Sequence, residues 1–374
     1  MKRPLKHYIR ECGARNKLRE CTAVYSVTNS QGFVPSTDYF SKEVYSKDLT
    51  NYKIVKRGMI AYNPSRVNVG SLAVQNAEEQ VVVSPLYVVI SVDETQLLPE
   101  YLCYFLHSDI GLKEIAAHTA GSVRDSLKFS ALQNIEITIR SVEEQRFIIR
   151  ILQKVEALIN KRRQTLNKLD DLVKSQFIEM FGNETNHVPL SHYISALEAG
   201  KSLAGKEDNV NKVLKTGAVS YDCFDETQVK NLPLDYMPLI EHRVNDGDIL
   251  VSRMNTSELV GAAAYVWRAP SNTYIPDRLW RVKCRDCNPV FLWQLLIQPL
   301  TKRRIRQIAS GTSGSMKNIS KQDFLGINVI CVGKDKQNQF AAFVEQTDKS
   351  KFRIKQSLEK LEMLYKSLLQ EYFG

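Results

Sequence analysis

The sequence predicts an α+β chain: two similar globular domains separated by two long helices that pair antiparallel as a coiled coil, the halves being related by an approximate twofold axis. Three observations predict it. The chain repeats itself at a nearly constant offset, each repeat closes on an apolar stripe with helical period, and each stripe is too long for one small domain to cover. The expected bounds are residues 1–140 and 183–332 for the globular domains, and 141–182 and 333–374 for the helices.

The repeat is clearest at its end, where residues 145–182 align without a gap on residues 337–374, an offset of 192. Gln164, Leu166, Lys168, Leu169 and Leu172 meet Gln356, Leu358, Lys360, Leu361 and Leu364, and Phe181-Gly182 meets Phe373-Gly374. Upstream, Leu132, Ile135 and Ile137 face Phe324, Ile327 and Val329, the alternation of a strand. Near the start, Pro4-Leu5-Lys6-His7-Tyr8-Ile9 returns as Pro189-Leu190-Ser191-His192-Tyr193-Ile194, an offset of 185, so small insertions fall in loops. Between these anchors similarity is weakest, with Gly58-Met59-Ile60 set against Gly247-Asp248-Ile249. Ordered anchors along the whole half-chain point to duplication.

The first helix is expected to open at Ser141-Val142-Glu143-Glu144, a capping box in which serine and the glutamate three residues on satisfy free backbone amides. Ile148, Leu152, Val155, Ile159, Arg162, Leu166, Leu169, Val173, Gln176 and Met180 then form one coiled-coil seam. The second seam reads Phe340, Val344, Thr347, Lys351, Ile354, Leu358, Leu361, Tyr365, Leu368 and Tyr372. From Glu143 to Met180 a helix runs roughly 57 Å, longer than a small domain is wide. Because one helix leads into the second domain and the other leads out of it, the pair should run antiparallel. Arg162, Thr347 and Lys351 interrupt the seams and are candidates for fixing register.

A length of 374 residues suits two domains, and 43% apolar with 25% charged residues is the composition of a chain with a real core. The net charge of +10 favours polyanionic partners. The polar start and the lack of a membrane-length apolar run predict a cytoplasmic protein with no membrane partner. Seven scattered cysteines in such a chain predict reduced thiols, and Cys284-Arg285-Asp286-Cys287 lacks the second ligand pair of a zinc site.

No set of catalytic residues is complete. Asn63-Pro64-Ser65-Arg66 begins like the element with which amino-methyltransferases hold a flipped base, but lacks the second proline and the aromatic. Gly200-Lys201-Ser202 ends like a phosphate-binding loop, yet Ser195 stands where its first glycine belongs. Pro276-Asp277 begins like a nuclease metal site, but Arg281 occupies the position of a carboxylate, and the six histidines fall in no metal or catalytic spacing. Neither a catalytic residue, a metal site nor a cofactor site is expected, which leaves binding.

Two loops recur in matching places. Asn63, Ser65 and Arg66 stand against Arg253, Asn255, Thr256 and Ser257, each group following a short apolar strand, and arginine and asparagine there suit contacts to base edges. Ser122, Arg124 and Lys128 stand against Thr312, Ser313, Ser315 and Lys317 in glycine-containing loops suited to phosphate. Lys302-Arg303-Arg304-Ile305-Arg306 adds a basic stripe on an expected helix.

With these residues in place the chain resembles the specificity subunit of type I restriction-modification systems over nearly its whole length. The likeness is carried by Gly58-Met59-Ile60-Ala61-Tyr62-Asn63-Pro64, Val83-Ser84-Pro85, and the apolar strand from Leu127 to Ile139 followed by Glu143-Glu144-Gln145-Arg146. The second copy departs from this with Lys334-Asp335-Lys336-Gln337 but keeps the glutamine. The resemblance implies two target-recognition domains, each reading half of a bipartite site on double-stranded DNA while the helices set the spacer. It also implies two modification (methyltransferase) subunits docked on the chain and restriction/translocase subunits beside them, with S-adenosylmethionine, ATP and Mg in those partners and no cofactor here. The alternative from another class is a non-catalytic coiled-coil scaffold that binds protein, whose affinity would respond far less to salt than DNA binding does.

Overall fold

The structure, a computed structural model, describes residues 2–29, 31–39, 46–119, 126–311 and 316–374. It divides into two compact units, residues 1–164 with 355–374, and residues 165–354. The division cuts both long helices, so each unit holds one globular module, part of the first helix and part of the second.

In the first unit a four-stranded antiparallel sheet runs in the order Ile9–Cys12, Val88–Val92, Ile60–Tyr62, Leu72–Val74. Side chains alternate across it. Ile60, Tyr62, Val88 and Ile90 enter the main core with Tyr101 and Leu102 of the helix Pro99–His107, whereas Ala61 and Val89 enter a second layer with Val27, Val55 and Val81. Burial on both faces explains why the inner strands Ile60–Tyr62 and Val88–Val92 are mostly apolar, whereas the edge strand Ile9–Cys12 exposes Arg10 and Glu11.

The second unit repeats this order with Ile194–Glu198, Leu279–Cys284, Ile249–Ser252 and Ala263–Tyr265. Ile249, Val251, Trp280 and Val282 face one core, and Leu250, Ala264 and Leu279 the other. Each sheet has its own two-stranded ribbon, Lys2–Pro4 with Glu136–Thr138 and His187–Pro189 with Asn328–Ile330. Each also has a helix pair, Pro99–His107 with Asp109–Thr119 and Pro289–Ile297 with Pro299–Ile308. The duplication thus runs through the stretch where residue matching is weakest. Outside the shared frame the units differ. The first carries the hairpin Tyr25–Thr28 and Gly32–Pro35, and the second a sheet in which Lys212–Leu214 lies between Val229–Asn231 and Thr273–Tyr274.

One expected strand is largely something else. Between Leu127 and Ile139 the chain forms a short helix, Phe129–Leu132, and only Glu136–Thr138 is strand. Leu132, Ile135 and Ile137 are nevertheless all buried, because a helical turn followed by a tight turn aims the same residues inward.

The long helices span Val142–Phe181 and Lys334–Phe373. The capping box at the first forms as expected: the Ser141 hydroxyl accepts from the Glu144 amide at 3.2 Å, and Glu144 Oε2 accepts from the Ser141 amide at 2.9 Å. Within each unit the helix segments run antiparallel. In the first, the Tyr365 hydroxyl donates to Glu156 at 2.7 Å and Arg163 pairs with Glu362 at 2.6 Å; in the second, Lys351 pairs with Asp170 and Phe177 packs on Phe340. The seam is right over Ile148, Leu152, Val155, Ile159 and Val173 and over Phe340, Val344 and Thr347, all buried. It drifts at the end of the first helix, where Phe177 and Phe181 are buried while Gln176 and Met180 are only half-buried. Two large rings beside Phe291 and Phe340 outweigh a strict heptad there. Phe373, the counterpart of Phe181, packs at a tilt against Tyr101, ring centroids 5.0 Å apart, in the first unit.

The glutamine shared by both helix starts has a structural task. Gln145 is fully buried; its Oε1 accepts from the Leu98 amide at 2.8 Å, and its Nε2 donates to the carbonyls of Gln96 and Arg140 at 2.8 and 2.9 Å. Gln337 does the same in the second unit, accepting from the Asn288 amide at 2.9 Å and donating to the Val332 carbonyl at 2.7 Å. Leu98 and Asn288 are the N-caps of Pro99–His107 and Pro289–Ile297. A side chain of each long helix therefore clasps the start of a helix in the globular module.

Candidate nucleic-acid interface

In the first unit the loop 63–66 leaves the strand Ile60–Tyr62 and is folded on itself. Asn63 Oδ1 accepts from the Ser65 amide at 3.1 Å, and the Asn63 carbonyl accepts from the Arg66 amide at 3.0 Å. Asn63 thereby shapes a turn that leaves Ser65 and Arg66 exposed. Arg66 and Asn63 line a cleft of about 120 Å³ with Thr28, Asn29, Ser71 and Tyr87. The Leu127 amide donates to the Pro64 carbonyl at 3.0 Å, which sets Leu127 and the exposed Lys128 that follows it beside this loop. Ser122 and Arg124 lie outside the described residues.

The second unit makes the equivalent junction. The Ile319 amide donates to the Arg253 carbonyl at 3.0 Å, and Met254–Asn255 pairs antiparallel with Lys317–Asn318. Asn255 and Lys317 are thus register partners. The side chains are less free than the sequence implies. Asn255 Oδ1 accepts from the Thr256 amide at 2.9 Å, its Nδ2 reaches Ser252 at 3.3 Å, and Lys317 donates to the Gly311 carbonyl at 2.7 Å. Thr256 and Ser257 are exposed. Arg253 is half-buried, its Nε without a partner among the described residues, and it occupies the place of Pro64, not of Arg66. Thr312, Ser313 and Ser315 lie outside the described residues.

The basic stripe falls on the helix Pro299–Ile308 as expected, but most of it serves the fold. Lys302 pairs with Asp222 at 2.5 Å, Arg304 donates to the Asn328 carbonyl, and Arg306 donates to the Glu258 carbonyl at 2.5 Å. Arg303 is exposed, as is Arg306 despite that bond. Sequence reading also passed over Asn29 and Tyr87, which reach the cleft from other segments and carry no local signal.

The motif fragments have structural explanations. Arg281 is buried beside Asp248 at 3.0 Å and donates to the carbonyls of Glu241 (2.8 Å) and Arg243. Burial raises the Asp248 carboxyl above its usual range despite that partner. Gly200 is where two backbones meet: a Cβ there would lie 2.0 Å from the Ile275 carbonyl oxygen. Gly200→Ala should therefore cost about 1–3 kcal/mol in urea unfolding, while exposed Lys201→Ala stays within about 0.5 kcal/mol. Equal losses from both would refute the close-approach explanation. Among the described residues no helix is long and apolar enough to cross a membrane.

Residues 28–170 match the family model of the type I restriction modification DNA specificity domain. Among curated proteins it is similar to the type I restriction enzyme EcoKI specificity subunit of Escherichia coli K12, with 21% identity over 306 residues, 75% of this chain and 66% of the relative. It is also similar to the EcoEI specificity subunit of Escherichia coli, with 28% identity over 141 residues, 36% of this chain and 24% of the relative. The chain therefore spans somewhat under two thirds of the first relative's length and about a quarter of the second's. Among solved structures, the type I restriction-modification S subunit from M. genitalium shares the fold at a TM-score of 0.59 and 15% identity, covering 100% of this chain and 96% of that one.

Proposed function

We propose that the chain is a non-catalytic specificity subunit in which each unit reads one half of a bipartite double-stranded DNA target through its joined loop pair. The observation that carries this reading is the junction itself. In both units one backbone hydrogen bond, Leu127 to Pro64 or Ile319 to Arg253, joins the segment just after the loop suited to phosphate to the loop suited to bases, which supports the two acting together. The long helices set the spacer and dock two modification subunits, which bring S-adenosylmethionine. Restriction/translocase subunits add ATP- and Mg-dependent steps.

Arg66 is the residue to test, being exposed at the cleft. If it makes a bidentate base contact, Arg66→Ala should cost about 1–3 kcal/mol at one base position, relaxing one half-site and leaving the other unchanged. Methylated sites mapped with the variant assembled with its modification subunits give the answer. Uniform weakening over all sequences would make Arg66 a phosphate contact, and an unchanged site preference would remove it from the interface.

A further inference from the structure

Cys284 ends the strand Leu279–Cys284, and Cys287 precedes Asn288, the N-cap of the helix Pro289–Ile297. The turn between them is tight: Asp286 has φ +28°, and the Arg285 amide and the Cys287 thiol both donate to the Tyr193 carbonyl, at 2.7 and 3.3 Å. The two thiols stand three residues apart across this turn, one at the end of the strand and one just before the helix. Cys284 is half-buried and Cys287 buried, so reagents reach the first more readily. Lys334, held 2.9 Å from Asp286, adds positive charge. Among the described residues no group of three or more His, Cys, Asp or Glu could hold a metal.

We propose that Cys284 and Cys287 form a reversible redox site, oxidised to an intramolecular disulfide by exchange with a low-molecular-weight disulfide. The thiols divide the work. The neighbouring Cys287 lowers the Cys284 thiol, against burial and with help from Lys334, whereas the neighbouring Cys284 and burial push Cys287 up. The Cys284 thiolate attacks one sulfur of the small disulfide and expels one thiolate. Cys287 then loses its proton and attacks the Cys284 sulfur of the mixed disulfide, expelling the second. One small disulfide is reduced to two thiols, and the protein loses two hydrogens. The site adjoins the glutamine clasp, since Asn288 donates to Gln337. It belongs to the second unit alone, because Glu94 and Leu97 stand at the corresponding positions before Leu98 in the first.

The experiment equilibrates the full chain in a series of oxidised-to-reduced glutathione ratios, traps free thiols by alkylation and maps peptides by mass. The expected result is a disulfide linking Cys284 to Cys287 that dithiothreitol reverses. Cys287→Ser should arrest the reaction with glutathione on Cys284, and brief alkylation of the reduced protein should label Cys284 at least about tenfold faster than Cys287. The proposal is overturned if both cysteines remain free thiols while exposed Cys223 is glutathionylated, or if Cys287 pairs instead with Cys331 near Tyr193.

Discussion

Gln145→Leu should lower the stability of the first unit by about 3 kcal/mol, although leucine fills nearly the same space and favours helix. The substitution strands the Leu98 amide and removes the donor to the carbonyls of Gln96 and Arg140. Each buried group left unpaired costs about 1–3 kcal/mol, and exposed Gln96 offers its carbonyl some access to water, which keeps the sum near the lower end. Because a domain is held by only about 5–15 kcal/mol, the loss is a large share of the total. Urea unfolding measures the size, and hydrogen exchange over 98–107 places it at the helix start. Gln337→Leu should repeat the result in the second unit. A change within about 0.5 kcal/mol for both would mean that the clasps are incidental.

On the proposed reading of the helices, a longer pair should read a longer gap. One heptad inserted after Arg163 and one after Lys355 keeps the seam and adds about 10.5 Å of helix. At about 3.4 Å per base pair this is about three pairs, with both half-site sequences unchanged. Three pairs also turn the DNA by more than a quarter of its repeat of about 10.5 pairs, so affinity should fall by the cost of twisting or bending the target. Methylated sites of the lengthened complex decide the matter. An active complex that keeps the original gap would show that something else sets it.

Much of this was legible because duplication leaves two readings of each feature. The helix starts share little beyond the glutamine, 145 against 337, and that residue is the one with a buried task. The strands of the middle were hard to match because a sheet buried on both faces needs only apolar residues at the right period, so Ala61 and Leu250 serve alike. The capping box was exact in its local logic and formed as expected, since it depends on residues three apart. The loop junction was invisible: Leu127 meets Pro64, and Ile319 meets Arg253, across separations that local pattern does not encode. Nor does a run of basic residues reveal that Lys302, Arg304 and Arg306 already have acceptors.

The way the two units share the helices fixes an order of events during synthesis. Residues 165–354 form one unbroken stretch, so the second unit has everything it needs once residue 354 has left the ribosome. The first unit, although its module is made earlier, waits for residues 355–374, which bring Phe373 onto Tyr101 and Tyr365 onto Glu156. At about 5–20 residues per second the early module spends many seconds with that apolar surface uncovered. Loss of the last few residues through a frameshift or proteolysis would therefore injure the module encoded first and spare the one encoded last.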